Sequence, residues 1–150
     1  MDAISLLKAD HDKVKKMLAE GESTTERGEK TRTELFATLK GEMIVHERIE
    51  EEIFYPELKA HPKAKDIVLE GYEEHHVVDE IMGELEALDV TDETWGPKCK
   101  VMKENIEHHI EEEEGEMFKQ ARQVFSDEEL AELGDRMQAR KDELLAAGVR

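Results

Sequence analysis

The stretch HERIEEEIF, His46 to Phe54, sets a histidine four residues before Glu50 inside a helix-forming acidic segment. The same spacing returns in HHIEEEEGEMF, where His108 and His109 have glutamates four residues on, at Glu112 and Glu113. Residues four apart share one face of an α-helix, so each pair presents an imidazole and a carboxylate side by side. Alone, such a pair says little: with 29 glutamates in 150 residues, a histidine meets one at i+4 about one time in five. What decides the matter is which face of each helix turns inward.

Outward from these pairs, apolar residues recur at helical spacing along the whole chain, with no alternating run and breakers at only a few places. Helices are expected over about 2–20, from 29 to a stop near Pro56, from Pro62 to about 88, and from a turn at 89–97 to about 124. The polar stretch 21–28 separates the first two. Ser126 and Glu129 form a capping box that opens a shorter helix, to about 147. Four long helices joined by short loops predict an all-α chain, an up-down-up-down four-helix bundle with a short C-terminal fifth helix. The expected division is 1–125 for the bundle and 126–150 for the last helix, packed on the bundle or on a partner subunit.

Inward seams of such a bundle repeat every three and four residues. They read Ile4, Leu7, His11, Val14, Leu18; Phe36, Leu39, Met43, His46, Glu50, Ile53; Val68, Gly71, His75, Val78, Met82, Leu85; and Met102, Ile106, His109, Glu113, Met117. Each long helix thus contributes one inward histidine. His108 falls in a mostly polar phase, His76 lies about 100° around from His75, and His61 falls in the loop beside Pro62. Trp95 is expected in the loop before the fourth helix, closing one end of the core.

One domain of this length buries a single substantial core. A formal net charge of −18 opposes binding to nucleic acid or to an anionic membrane surface. The opening MDAISLLKADHD lacks the basic patch and apolar run of a secretory signal, and no apolar stretch reaches spanning length. A cytoplasmic, soluble protein is expected. The single cysteine, Cys99, excludes an internal disulfide and a thiolate metal cluster.

Four imidazoles and two carboxylates buried at similar depth without partners would cost several kcal/mol for each ionised group. A shared cation removes that cost, and neutral imidazole with carboxylate suits iron, manganese or zinc. Four nitrogens and two bridging carboxylates supply about eight bonds, too many for tetrahedral zinc and enough for two octahedral irons with an oxo or hydroxo bridge. The ferritin-like plan wants two Glu-x-x-His pairs, and only Glu73 with His76 matches. HERIE lacks the second histidine of the HExxH zinc motif.

With these residues in view the chain resembles the hemerythrin-like HHE cation-binding domains. The resemblance runs through LLKADHDKV, HERIEEEIFYP, EEHHVVDEI and HHIEEEEGEMF, in the order H…HxxxE…H…HxxxE. It implies a four-helix bundle holding a non-haem di-iron centre that binds or senses oxygen, or handles peroxide. The ligands it implies are His11, His46, Glu50, His75, His109 and Glu113. Oxygen-carrying members have a fifth histidine four residues before the third-helix ligand, where this chain has Gly71. Glu47 and Tyr72 are the nearest substitutes, against a solvated charge and a core aromatic as their plainer readings. An altered ligand set shifts redox potential and the open coordination position. The expectation is therefore a redox-responsive protein that binds dioxygen or reacts with peroxide, with catalase-like activity one possibility. The competing readings are an oxygen store or a non-catalytic sensor acting through a protein partner not identified by the sequence.

Overall fold

The computed structural model describes residues 1–23 and 28–149. Among them every regular element is helical. Helix α1 (Ala3–Glu22) opens on Asp2, whose carboxylate accepts from the Ser5 N–H at 2.8 Å, an N-cap that satisfies an otherwise orphaned donor. Part of the expected polar break, residues 24–27, lies outside the described residues. Helix α2 (Glu29–Ile49) passes without interruption into a π-helical turn, Glu50–Phe54, and then a helical extension, Tyr55–Lys59. A 3-10 turn at Pro62–Ala64 leads into α3 (Lys65–Ala87). Helix α4 (Trp95–Glu112) likewise passes through a π turn, Glu113–Met117, into an extension, Phe118–Val124. The capping box forms as the spacing predicts: Ser126 Oγ accepts from the Glu129 N–H and Glu129 Oε1 from the Ser126 N–H, opening α5 (Asp127–Ala146).

Two local expectations change. The second helix runs past Pro56 to Lys59, because the preceding π turn has already interrupted the α ladder where the proline lacks a donor. Trp95 is the first residue of α4, not a loop residue, and is buried in the core with the Arg32 guanidinium 4.5 Å over its ring.

The apolar interior divides into two clusters. One gathers Ile4, Leu7, Ile49, Phe54, Tyr55, Val68, Met117 and Phe118; the other gathers Val14, Leu18, Met43, Val78, Met82, Met102 and Ile106. Along each long helix an inward histidine falls at the boundary: His11 between Leu7 and Val14, His75 between Val68 and Val78. A buried polar layer therefore lies between two apolar ones, and those layers hold it dry. Helix α5 joins the first cluster through Leu130, Leu133, Met137 and Leu144. It approaches the N-terminus so closely that a Cβ on Gly134 would lie 2.3 Å from the Met1 carbonyl oxygen. No helix among the described residues is long and apolar enough to cross a membrane.

Candidate metal centre

His11, His46, His75 and His109 are each at most 5% exposed, and Glu50 and Glu113 at most 1%. Every one of the four rings has its Nδ1 against a carboxylate: His11 on Glu114 at 2.7 Å, His46 on Asp10 at 3.0 Å, His75 on Glu51 at 2.9 Å and His109 on Glu74 at 2.7 Å. An ionised carboxylate only accepts, so Nδ1 must donate, and each Nε2 is turned inward. This outer carboxylate is the usual orienting partner of a metal-binding imidazole.

The inward atoms converge without satisfying one another. His46 Nε2 lies 2.8 Å from Glu50 Oε1, which is also 3.3 Å from His75 Nε2. Glu113 faces His11 Nε2 with Oε1 and His109 Nε2 with Oε2, both at 3.1 Å. None of His11 Nε2, His46 Nε2, His109 Nε2, Glu113 Oε1 or either Glu50 oxygen makes a hydrogen bond. Such approaches are those of neighbouring donors around a common centre, and the orphaned atoms would be costly without a cation. The donors fall into two groups that share Glu113, one of His11, His46 and Glu113, the other of Glu50, His75, His109 and Glu113. The six residues thus fit a pair of ions bridged by carboxylate.

Both glutamates sit at the first residue of a π turn. A π turn inserts one residue into the α pattern, so the inward seam slips by one after it. Ile53, expected inward from the α spacing, is only half-buried, whereas Phe54 and Tyr55 are fully buried. After Glu113 the turn brings Met117 and Phe118 both inside. His75 stacks on Tyr55 and His11 on Phe118, with ring centroids 5.3 and 5.9 Å apart.

Tyr55 is the inward polar side chain that the sequence seams missed. Its hydroxyl donates to Glu113 Oε2 at 2.6 Å and lies 3.4 Å from His75 Nε2. It occupies the space a side chain at position 71 would need, since a Cβ on Gly71 would come within 2.9 Å of the Tyr55 oxygen. The phenol therefore fills the place left by the missing fifth histidine. The signal was present in the aromatic FYP after the HxxxE pair, but reading it required the π slip. Tyr72 instead donates to the main-chain oxygen of Glu51 at 3.4 Å and stands edge-on to Tyr55. Glu47 is buried but lies with Glu51 on the outer side of His75. His108 and His76 are exposed and pair with glutamates one turn on, while His61 packs edge-on against Phe125.

Burial alone would depress the imidazoles. The carboxylates around His46, His75 and His109 overcome it and hold all three above their ordinary value, His75 at about 9. Burial would raise Glu113, but His109 foremost keeps it well below the usual carboxylate range. Against its burial, His46 and Lys141 carry Asp10 down to about 2. Burial and then the neighbouring Asp79 push Glu47 up to about 9. Burial, Glu113 and Glu50 push the Tyr55 phenol well above its usual value. In the metal-free protein His46, His75 and His109 therefore favour their protonated forms, and a cation bound among these donors would have to displace those protons.

Comparison with known proteins agrees with this geometry. None of the curated proteins matches the chain. Among solved structures, a hemerythrin HHE cation-binding domain-containing protein from Mycobacterium kansasii is similar to it with a TM-score of 0.85 and 28% sequence identity, over 98% of this chain and 89% of that one. The family model of the hemerythrin HHE cation-binding domain matches residues 2–121, four of whose helices supply the buried histidines and carboxylates. The chain belongs to the hemerythrin HHE cation-binding domain family.

Proposed function

We propose that this chain is a non-haem di-iron protein, built on an up-down-up-down four-helix scaffold, that reacts with peroxide or dioxygen as a redox-responsive centre. The observation that carries it is the set of inward donors, four Nε2 atoms and two carboxylates arranged as two groups sharing Glu113, of which the nitrogens of His11, His46 and His109, both Glu50 oxygens and Glu113 Oε1 make no hydrogen bond. His11 and His46 would hold one iron, His75 and His109 the other, with Glu50 and Glu113 between them and an oxo or hydroxo bridge completing the pair. Glu47 and Tyr72 take no ligand role in this reading; the oxygen donor beside Gly71 is Tyr55. Two irons supply one-electron redox steps and open positions for a small oxygen species.

The chain's own residues do the rest. Asp10, Glu51, Glu74 and Glu114 fix ring orientation and strengthen the imidazoles as donors. Phe54, Phe118, Ile49 and Met117 exclude water on one side. The Tyr55 hydroxyl holds a proton at Glu113 Oε2, within reach of whatever binds beside His75. With no fifth imidazole, an exchangeable position beside the Tyr55 proton would let peroxide bind directly, which points to peroxide reactivity over oxygen storage.

Metal analysis of purified protein is expected to give about two irons per chain, and iron-replete protein that keeps none after desalting breaks the reading. Stopped-flow mixing of reduced protein with oxygen, beside a peroxide-consumption assay, decides between activities. A long-lived oxygen adduct released under vacuum, with no peroxide turnover above that of free iron, would overturn the peroxide reading. A sensor is the second reading, favoured by the Lys141–Asp10 ion pair at 2.6 Å, through which α5 touches the orienting partner of His46.

A further inference from the structure

Beside the buried centre, α2 and α3 border an open depression of about 540 Å³ lined by Lys40, Glu47, Arg48, Glu51, Glu52, Asp79 and Glu86 among others. Two of its acids are already neutralised. Glu52 accepts from Arg140 through both oxygens, and Glu86 accepts from Lys40. Glu47, Glu51 and Asp79 are different, because among the described residues none forms an ion pair with lysine or arginine. Glu47 is 5% exposed, its Oε1 makes no hydrogen bond, and its carboxyl lies against that of Asp79. Donor atoms of Glu47, Glu51 and His75 fall within 4.8 Å of one another.

We propose that Glu47, Glu51 and Asp79 form a separate mononuclear site for a hard divalent cation, and that ferrous iron occupies it on the way to the buried centre. Carboxylate oxygens with room for several waters suit a small divalent ion that gives up its hydration reluctantly. Glu51 accepts from His75 Nδ1 at 2.9 Å, so one carboxylate touches both the depression and a ring of the buried centre. The site occurs on one side only. At the positions that match by the offset between the two HxxxE pairs and between their helix partners, Glu47 corresponds to buried Ile110 and Asp79 to Lys15. The histidines and their outer carboxylates recur in both halves. Glu47 does not.

The loading role rests on the di-iron reading, whereas the cation site does not, and the test separates them. Iron-loaded protein titrated with Mn²⁺, read by equilibrium dialysis and electron paramagnetic resonance, is expected to bind one Mn²⁺ per chain beyond its iron. Asp79→Asn and Glu47→Gln are expected to weaken that binding at least tenfold, with helical content unchanged by circular dichroism. In metal-free protein, Asp79→Asn should slow ferrous iron uptake at least fivefold while the final iron content stays at the wild-type level. No Mn²⁺ bound beyond the iron, or equal binding by the variants, overturns the site. A fall in final iron content for Glu47→Gln makes Glu47 a ligand of the buried centre and also overturns it. Wild-type protein that takes up no iron breaks the di-iron reading alone, and Mn²⁺ titration of that metal-free chain then decides the separate site by the same comparison of variants.

Discussion

The two halves of the centre repeat one plan and then depart from it. Asp10–His11 on α1 with His46, Glu50 and Glu51 on the second helix correspond to Glu74–His75 on α3 with His109, Glu113 and Glu114 on the fourth. In each half the acid before one histidine orients the other half-partner's ring: Asp10 holds His46, and Glu74 holds His109. The acid after the inward glutamate reaches across to the opposite half, Glu114 to His11 and Glu51 to His75. The departures lie in what surrounds this frame. Tyr55 stacks on His75 where Phe118 stacks on His11, and only the tyrosine brings a hydroxyl to Glu113. Lys141 neutralises Asp10, whereas Glu74 has Glu112 beside it, which that contact and then burial push up to about 7. The repeated part sets the six inward donors; the unrepeated part makes the two halves around them chemically unequal.

Removing the shared element should collapse both halves together. Glu113→Ala is expected to lose most of both irons and to cost the metal-free fold about 3–5 kcal/mol, because it leaves buried cationic imidazoles uncompensated. Metal analysis and thermal unfolding read this. Loss of one iron with the other retained would show that the halves bind independently. His108→Ala is the control, and its solvent-exposed ring predicts a change within about 0.5 kcal/mol.

Proton linkage in the metal-free protein is the next largest effect. Carboxylates raise His75 to about 9 against the opposing effect of burial, so its contribution is complete below its unfolded value near 6.5 and disappears as pH rises through about 9. Glu113 is held low, so its contribution is present above about 4.5 and disappears on acidification. From His75 alone, metal-free stability should therefore fall by on the order of 3 kcal/mol between about pH 6.5 and 9, and the Glu47 carboxyl, raised to about 9, adds a loss of the same sign as it ionises. Denaturant titrations across that range measure it, and a flat profile would contradict the proton-filled centre.

Tyr55→Phe makes the two halves alike. It removes one buried donor from Glu113 and is expected to destabilise the metal-free protein by about 1–3 kcal/mol. If the hydroxyl biases iron towards the oxidised state, the same change should raise the reduction potential. An unchanged potential would confine the hydroxyl to a structural part. Smallest is Lys141→Met, expected to cost about 1 kcal/mol by leaving Asp10 without its cation. It should perturb the His46 ring resonances in nuclear magnetic resonance more than those of His109, since only His46 shares that acid.

The heptad-like seams were enough to bring His11, His46, Glu50, His75, His109 and Glu113 to one buried layer, because side-chain direction on an α-helix follows from spacing alone. The capping box at Ser126 was equally legible, being an interaction among residues three apart. Beyond Glu50 the same arithmetic failed: it turned Ile53 inward where Phe54 and Tyr55 are buried, since a π turn shifts the phase and no local residue preference announces it. Tyr72 and Glu47 stood near the histidines in sequence, yet only the packing of the second helix's extension, Tyr55–Lys59, against α3 could show Tyr55 filling the space beside Gly71, and only the tertiary structure shows Glu47 turned to the outer face. The place of α5 was decided in the same way. Gly134 permits contact with the first residues of the chain, and Lys141 meets Asp10 across a gap of 131 positions. Spacing along one helix is fixed by its backbone geometry, so the sequence determined the fold class and the six inward donors. Contacts between helices depend on how whole surfaces fit, so tertiary structure alone decided what surrounds those donors and makes the two halves differ.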